Sequence, residues 1–247
     1  MLKRRYSVLM VVAWTATTAS FGYSQQAPAY NAREVEGGGQ IIGSVTVTGT
    51  LPAPTRLEVT KDHEVCGAEP KVAEDLLVKS GTNGLRNAVV SLSDITEGKP
   101  FGTQSEPRAL DQRGCRFAPH VLVVPAGAPF AVLNSDGILH NFSTRSSENR
   151  PINKAQPGML KKLQVKFRQP ERIRVECDIH EWMEAWIVVA AHPYYAVTDE
   201  NGSYQLEEVP PGRYTLEVWH ERLGTQTRQV TIPDAGKVRV DVELEAR

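Results

Sequence analysis

Apolar and polar residues alternate along most of this chain in short runs and almost nowhere recur at helical spacing. Ile41-Ile-Gly-Ser-Val-Thr-Val-Thr48 is the first clear run, and its period of two predicts a strand with one face buried. Leu57-Glu-Val-Thr60, Asn87-Ala-Val-Val-Ser-Leu92 and two runs within Phe117–Gly127 continue the pattern. Ile173, Val175 and Cys177 fall on one face of a further strand, and Trp186-Ile-Val-Val-Ala190 reads as the next. From His192 onward, paired runs flank turn residues: Tyr195–Leu206 around Asp199-Glu-Asn-Gly202, then Val209–Trp219, then Thr227–Ile232 with Lys237–Leu244. Asn-Gly is a hairpin signal because both residues tolerate positive φ. Asp199 and Asn201 suggest calcium only superficially, since the further oxygen ligands and a distal bidentate Glu are missing. With 16 Pro and 19 Gly between the runs, the chain is predicted to be all-β and rich in turns.

The first 24 residues break the pattern. Lys3, Arg4 and Arg5 precede an apolar stretch from Val8 to Ala19 and a small-residue exit at Gly22-Tyr-Ser24, which together read as a signal peptide. Export to the periplasm or the extracellular space follows. Residues 25–40 are polar, end in three glycines and read as a linker. The whole chain carries a formal net charge of −1, and losing the leader's three cations makes it more acidic. That argues against nucleic acid as a partner.

The candidate chemistry lies in Cys177-Asp-Ile-His180-Glu-Trp-Met183, a thiol, an imidazole and a thioether at C-x-x-H-x-x-M spacing. Zinc accepts the first two donors but seldom a thioether, whereas Cys, His and a weak axial Met suit copper. A buried Cys and Met in a β core, with a surface His, is the plainer alternative. Far upstream, Leu133-Asn-Ser-Asp-Gly-Ile-Leu-His140-Asn141-Phe142 offers a second imidazole.

At this point the chain resembles the cupredoxins, and its ligand loop is similar to that of the amicyanins. The first His preceded by Asn134 and followed by Asn141, after paired strands over Phe117–Gly127, fits that likeness. It implies a Greek-key β-sandwich or barrel holding one type 1 copper, with His140, Cys177 and His180 as equatorial ligands and Met183 axial. It also implies an Asn141 contact to the residue after the cysteine, here Asp178, whose carboxylate would accept the Asn141 amide protons. His180 would be the ligand at the solvent edge, with Trp182 beside it either in a docking patch or in the core. The segment 192–247 resembles the carboxypeptidase regulatory-like domain, a transthyretin-like sandwich with a carbohydrate-binding-like fold. That likeness rests on Thr198-Asp-Glu-Asn-Gly-Ser-Tyr204 and Pro210-Pro-Gly-Arg-Tyr-Thr-Leu-Glu-Val218. Such domains begin with a strand like Ile41–Val47, so residues 41–60 are expected to complete it around an inserted cupredoxin at 61–191.

Three cysteines leave one over after a single pair. With Cys177 reserved for copper, Cys66 and Cys115 are the expected disulfide, although His63 and Cys66 at i, i+3 offer a rival metal pair. The basic residues Lys161, Lys162, Lys166, Arg168, Arg172 and Arg174 alternate with apolar ones and read as the solvated face of strands, or else as a docking patch. His120 reads as structural or exposed. The four copper donors leave no open position, so the expected role is a one-electron carrier serving a redox protein, not an enzyme. Copper sequestration or sensing is one alternative. A glycan- or protein-binding sandwich with a vestigial site is the other.

Overall fold

In a computed structural model describing residues 30–102 and 108–246, the alternation at Ile41–Thr48 becomes the longest strand, Gly39–Gly49. Ile41, Val45 and Val47 are buried on one face of it. The leader at 1–24, and residues 25–29, lie outside the described residues. Among the described residues the fold is all-β, with one helical turn at His63–Cys66, and the main strands form two sandwiches.

Sandwich I packs two sheets. One holds Lys162–Lys166, Pro129–Asn134, Ala109–Gln112 and Phe117–Ala118 in spatial order. The other holds Asn153–Gln156, His140–Arg145, Glu171–Glu176, Glu184–Ala190 and Val121–Pro125. Leu110, Phe130, Val132, Phe142, Ile173, Val175 and Ile187 fill the space between, together with the Cys66–Cys115 disulfide. The two sheets stay open and do not close into a barrel.

Sandwich II is assembled from distant parts of the chain. Gly39–Gly49 pairs antiparallel with Ser203–Val209 and runs parallel to Lys237–Arg239 and Val242–Ala246. The facing sheet holds Tyr195–Val197, Val89–Leu92, Gly212–His220 and Gly224–Ile232. Val89–Leu92 therefore lies outside sandwich I, although it falls within the 61–191 span assigned to the cupredoxin. Its four residues are all buried, which leaves no alternation to show which core they face.

Three other expectations change. The supposed linker at 25–40 already makes structure from Tyr30 on: the Tyr30 hydroxyl donates to Lys99 O at 2.7 Å, and Asn31–Ala32 pairs with Glu97–Gly98. Leu57–Thr60 gives only the two-residue strand Arg56–Leu57, paired with Lys71–Val72. The turn at Asp199–Gly202 forms, with Asp199 Oδ1 accepting from the Asn201 and Ser203 amides, but it is not a hairpin. Its flanking strands enter opposite sheets, as do those flanking Pro210-Pro211 and those flanking Pro233. Turn chemistry fixes a reversal but not which sheet receives the returning strand; here Gly39–Gly49 captures it.

The sandwiches meet at Val89 and Trp219 of one and Val121 and Val188 of the other. This contact buries the outer face of Glu184–Ala190, so its last four residues are buried in succession. The rings of Trp186 and Trp219 cross edge to face at 5.0 Å, and Arg172 lies over Trp219 and pairs with Glu217.

Candidate metal centre

The loop carrying Cys177, His180 and Met183 joins two antiparallel neighbours, Glu171–Glu176 and Glu184–Ala190. Two backbone hydrogen bonds close it: Met183 N–H donates to His180 O at 2.8 Å, and Cys177 N–H to Met183 O at 3.2 Å. His140 opens the strand His140–Arg145, which pairs with Glu171–Glu176 on the other side. Adjacent strand ends thus bring distant parts of the sequence to one point.

The Nδ1 atoms of His140 and His180 stand 3.0 Å apart, and Cys177 Sγ is 3.8 Å from His180 Nδ1. All three donor atoms lie within 4.8 Å of one another. Both imidazoles have no exposed surface, and Cys177 and Met183 of the same loop are also buried. The Asn141 N–H donates to Cys177 Sγ at 3.4 Å.

Each imidazole is held from behind. His140 Nε2 pairs with Asp136 Oδ2 at 2.8 Å, and His180 Nε2 with Asp62 Oδ2 at 2.8 Å. A carboxylate on Nε2 places the proton there and turns a lone pair at Nδ1 toward the common point. Two such lone pairs 3.0 Å apart repel unless a cation sits between them. A proton meets that need, and so does a metal ion. Burial works against the His140 imidazolium, but Asp136 and the Cys177 sulfur outweigh it and push its pKa up to about 9. Burial likewise pushes the Cys177 thiol up, yet His140 and the amides of His180, Ile179 and Asn141 bring it below its ordinary value. Burial, with the charge of His140, holds His180 below its ordinary value despite Asp62. Metal binds the thiolate and neutral imidazoles, so an ion entering here takes the place of the proton that His140 holds, and this donor set fits a copper ion.

The sequence-predicted neighbours take these places. Asn134 donates to Ile138 O and Gln156 O at 2.8 and 2.9 Å and accepts from Gly137 N–H, which shapes the turn ahead of His140. Asn141 does not donate to the Asp178 carboxylate; its Oδ1 accepts from the Asp178 backbone N–H at 3.0 Å. The carboxylate turns outward and accepts from Asn153 at 2.9 Å, because Asn153 also takes up the Asn141 amide at 2.6 Å. His180 is not at a solvent edge: Asp62 and the Trp182 ring, 5.1 Å away, cover it. Trp182 itself is half-buried, with its Nε1–H donating to Cys115 O at 3.1 Å. Cys66 and Cys115 are bonded to each other, which removes the rival His63–Cys66 pair, and Cys177 is the free cysteine.

Sequence reasoning missed both carboxylates. Asp136 had a signal, lying four residues before His140 in an Asn-Ser-Asp-Gly turn. Asp62 had none, since it reaches His180 from 118 positions away. Buried Gln156 was missed too; it accepts from Gln112 at 2.7 Å and donates to Val132 O and Leu160 O beneath the turn.

Residues 184–245 match the carboxypeptidase regulatory-like domain family. A contiguous match begins with Glu184–Ala190, a strand of sandwich I, and cannot include Gly39–Gly49, which sandwich II uses. No curated protein matches the chain. Similar solved structures include a copper-containing nitrite reductase from Thermus scotoductus SA-01, at 21% identity and TM-score 0.33, covering 36% of this chain and 23% of that one. A purple cupredoxin from Nitrosopumilus maritimus matches at 16% identity and TM-score 0.28, over 34% of this chain and 99% of that one. An oxidized proline-to-alanine mutant of amicyanin matches at 14% identity and TM-score 0.32, over 36% of this chain and 86% of that one. The nitrite reductase is thus matched over less than a quarter of its length.

Proposed function

We propose that this is an exported type 1 copper protein that carries single electrons for a redox partner protein. The reading rests on the convergence of His140 Nδ1, His180 Nδ1 and Cys177 Sγ within 4.8 Å, with Met183 buried in the same loop as Cys177 and His180. Bound there, copper supplies a one-electron couple through a covalent thiolate bond. The protein's part is to hold both imidazoles by Asp136 and Asp62, donate the Asn141 N–H to the sulfur, and keep water out. The four donors leave no place for substrate, so the reading is not that of an enzyme. The disulfide suits an oxidising compartment, and among the described residues no helix is long and apolar enough to cross a membrane.

The covering of His180 favours a second reading, sequestration, in which the ion is held and not exchanged with a partner. Titration of the purified protein with Cu(II) tests both. One equivalent bound with an intense absorption toward the red end of the visible spectrum is expected. Rapid reversible one-electron reduction supports the carrier; tight binding without it supports sequestration. Absence of stoichiometric binding ends both.

A further inference from the structure

The two carboxylates behind the histidines come from separate segments, and one disulfide links them. Asp62 sits in a left-handed conformation, φ 49°, at the start of the His63–Cys66 turn. Its carbonyl accepts from the Val65 and Cys66 amides at 3.0 and 2.8 Å, so the position of Asp62 is tied directly to Cys66. Across the disulfide, the Cys115 N–H donates to Asp136 Oδ2 at 2.8 Å and the Gly114 N–H to Asp136 Oδ1 at 2.5 Å. The Cys115 carbonyl also receives the Trp182 indole that lies against His180. Asp62 on one side, and Asp136 and Trp182 on the other, are thus all tied by hydrogen bonds to the two ends of this disulfide.

We infer that Asp62 is a positioning residue that latches His180 over the site, and that the Cys66–Cys115 disulfide holds this latch in register with Asp136. The inference rests on the copper reading only for its metal consequences. Asp62 is the exposed member of the pair, its side chain 45% accessible, whereas Asp136 is 6% accessible. Cys177 has almost no surface of its own, so a reagent or a departing ion reaches the cavity when the His180 loop swings out. The latch opposes that motion. Replacing an outer-shell partner of a ligating His typically costs about 10- to 100-fold in metal affinity.

The test uses the full-length protein with and without metal. In the metal-free protein, alkylation of Cys177 by iodoacetamide, followed by mass spectrometry, reads the opening of the loop without reference to copper. Asp62→Ala should speed it about tenfold, the effect of losing one hydrogen bond to a charged group, with little change in the thermal midpoint, since water can take the place of the half-exposed carboxylate at His180 Nε2. Asp62→Asn keeps an acceptor for the His180 N–H and should restore a rate near that of the native protein. In the Cu(II)-loaded protein, transfer of the ion to excess chelator should follow the same order. The double variant Cys66→Ser, Cys115→Ser should alkylate as fast as Asp62→Ala or faster. Rates for Asp62→Ala within twofold of native in both assays, or Asp62→Asn behaving like the alanine variant, would overturn the inference. If the native protein binds no Cu(II), the proposed function falls while the alkylation result still decides the latch.

Discussion

At the loop end of sandwich I, His140 and His180 each hold a carboxylate on Nε2; at the junction between the sandwiches, His120 does the same with Glu221. All three imidazoles are buried, and the difference lies at the other ring nitrogen. At the loop, two Nδ1 atoms and a sulfur face one another. At the junction, His120 Nδ1 has no hydrogen-bond partner, and the free oxygen of Glu221 accepts from Trp186 Nε1 at 2.7 Å. The nearby His220 also leaves Nε2 without a partner. Burial works against the His120 imidazolium, but Glu221 outweighs it and holds His120 above its ordinary value. The same pairing therefore turns imidazoles toward the proposed metal site in one place and forms a buried ion pair between sandwiches in the other. A His–carboxylate pair marks a site only where the second nitrogens converge with a soft donor.

Cys177→Ser gives the largest effect and tests the first half of that statement. It removes the soft donor but hardly alters volume, so Cu(II) affinity and the visible band should be lost while the urea midpoint changes little. Glu221→Ala tests the second half. It leaves a buried imidazole without its partner, and breaking such a pair costs roughly 3 kcal/mol or more. Urea unfolding should show that loss while Cu(II) binding by the folded protein stays within about twofold of native, well inside the tenfold change that about 1.4 kcal/mol would bring. Loss of copper binding in Glu221→Ala would break the distinction between the two places.

Met183→Leu probes a finer point within the loop. The thioether is the weakest of the four expected donors, so the variant should keep copper and shift the reduction potential upward, because a donor to the more highly charged ion is lost. Voltammetry checks this, and an unchanged potential would remove Met183 from the ligand set.

What the sequence made legible follows the range of the interactions involved. The ligand loop was readable because Cys177, His180 and Met183 lie within seven residues, and strand alternation at Ile173 and Val175 gives the inward face. His140 needed a family likeness, since no local pattern links it to Cys177. The disulfide was legible through cysteine arithmetic. The route from Cys66 to Asp62 and on to His180 was not, because it depends on how a loop-rich segment settles over the finished sandwich. In sandwich II, the turns at Asp199–Gly202 and Pro210–Gly212 were visible, but each sends its strands to opposite sheets. That choice is set by Gly39–Gly49 and Val89–Leu92, which lie far upstream in the chain. Val89–Leu92 and Val188 lack alternation because both faces are covered, so pattern alone could not assign them to a sheet.

The smallest expected effect separates the histidines by the sign of their coupling to pH. Burial in sandwich II pushes His192 and His220 down to about 4. Each has the same local contact, Nδ1 accepting from the backbone N–H two residues on, at 3.3 Å. A histidine lowered from 6.5 to about 4 binds fewer protons when folded than when unfolded throughout that window. Its contribution is therefore lost as pH falls from 6.5 toward 4. His120 and His140 shift the other way, so their stabilisation is complete below their unfolded value and adds no slope there. Between about pH 6 and pH 5 the stability of the metal-free protein should fall by about 1 kcal/mol for each of His192 and His220. Urea unfolding followed by tryptophan fluorescence at the two pH values measures it. Asparagine at both positions keeps an acceptor for the same backbone N–H and removes the titration, so the double variant His192→Asn, His220→Asn should show a flatter profile. A native protein equally stable at both pH values would mean that these two imidazoles gain protons as readily in the fold as in the unfolded chain.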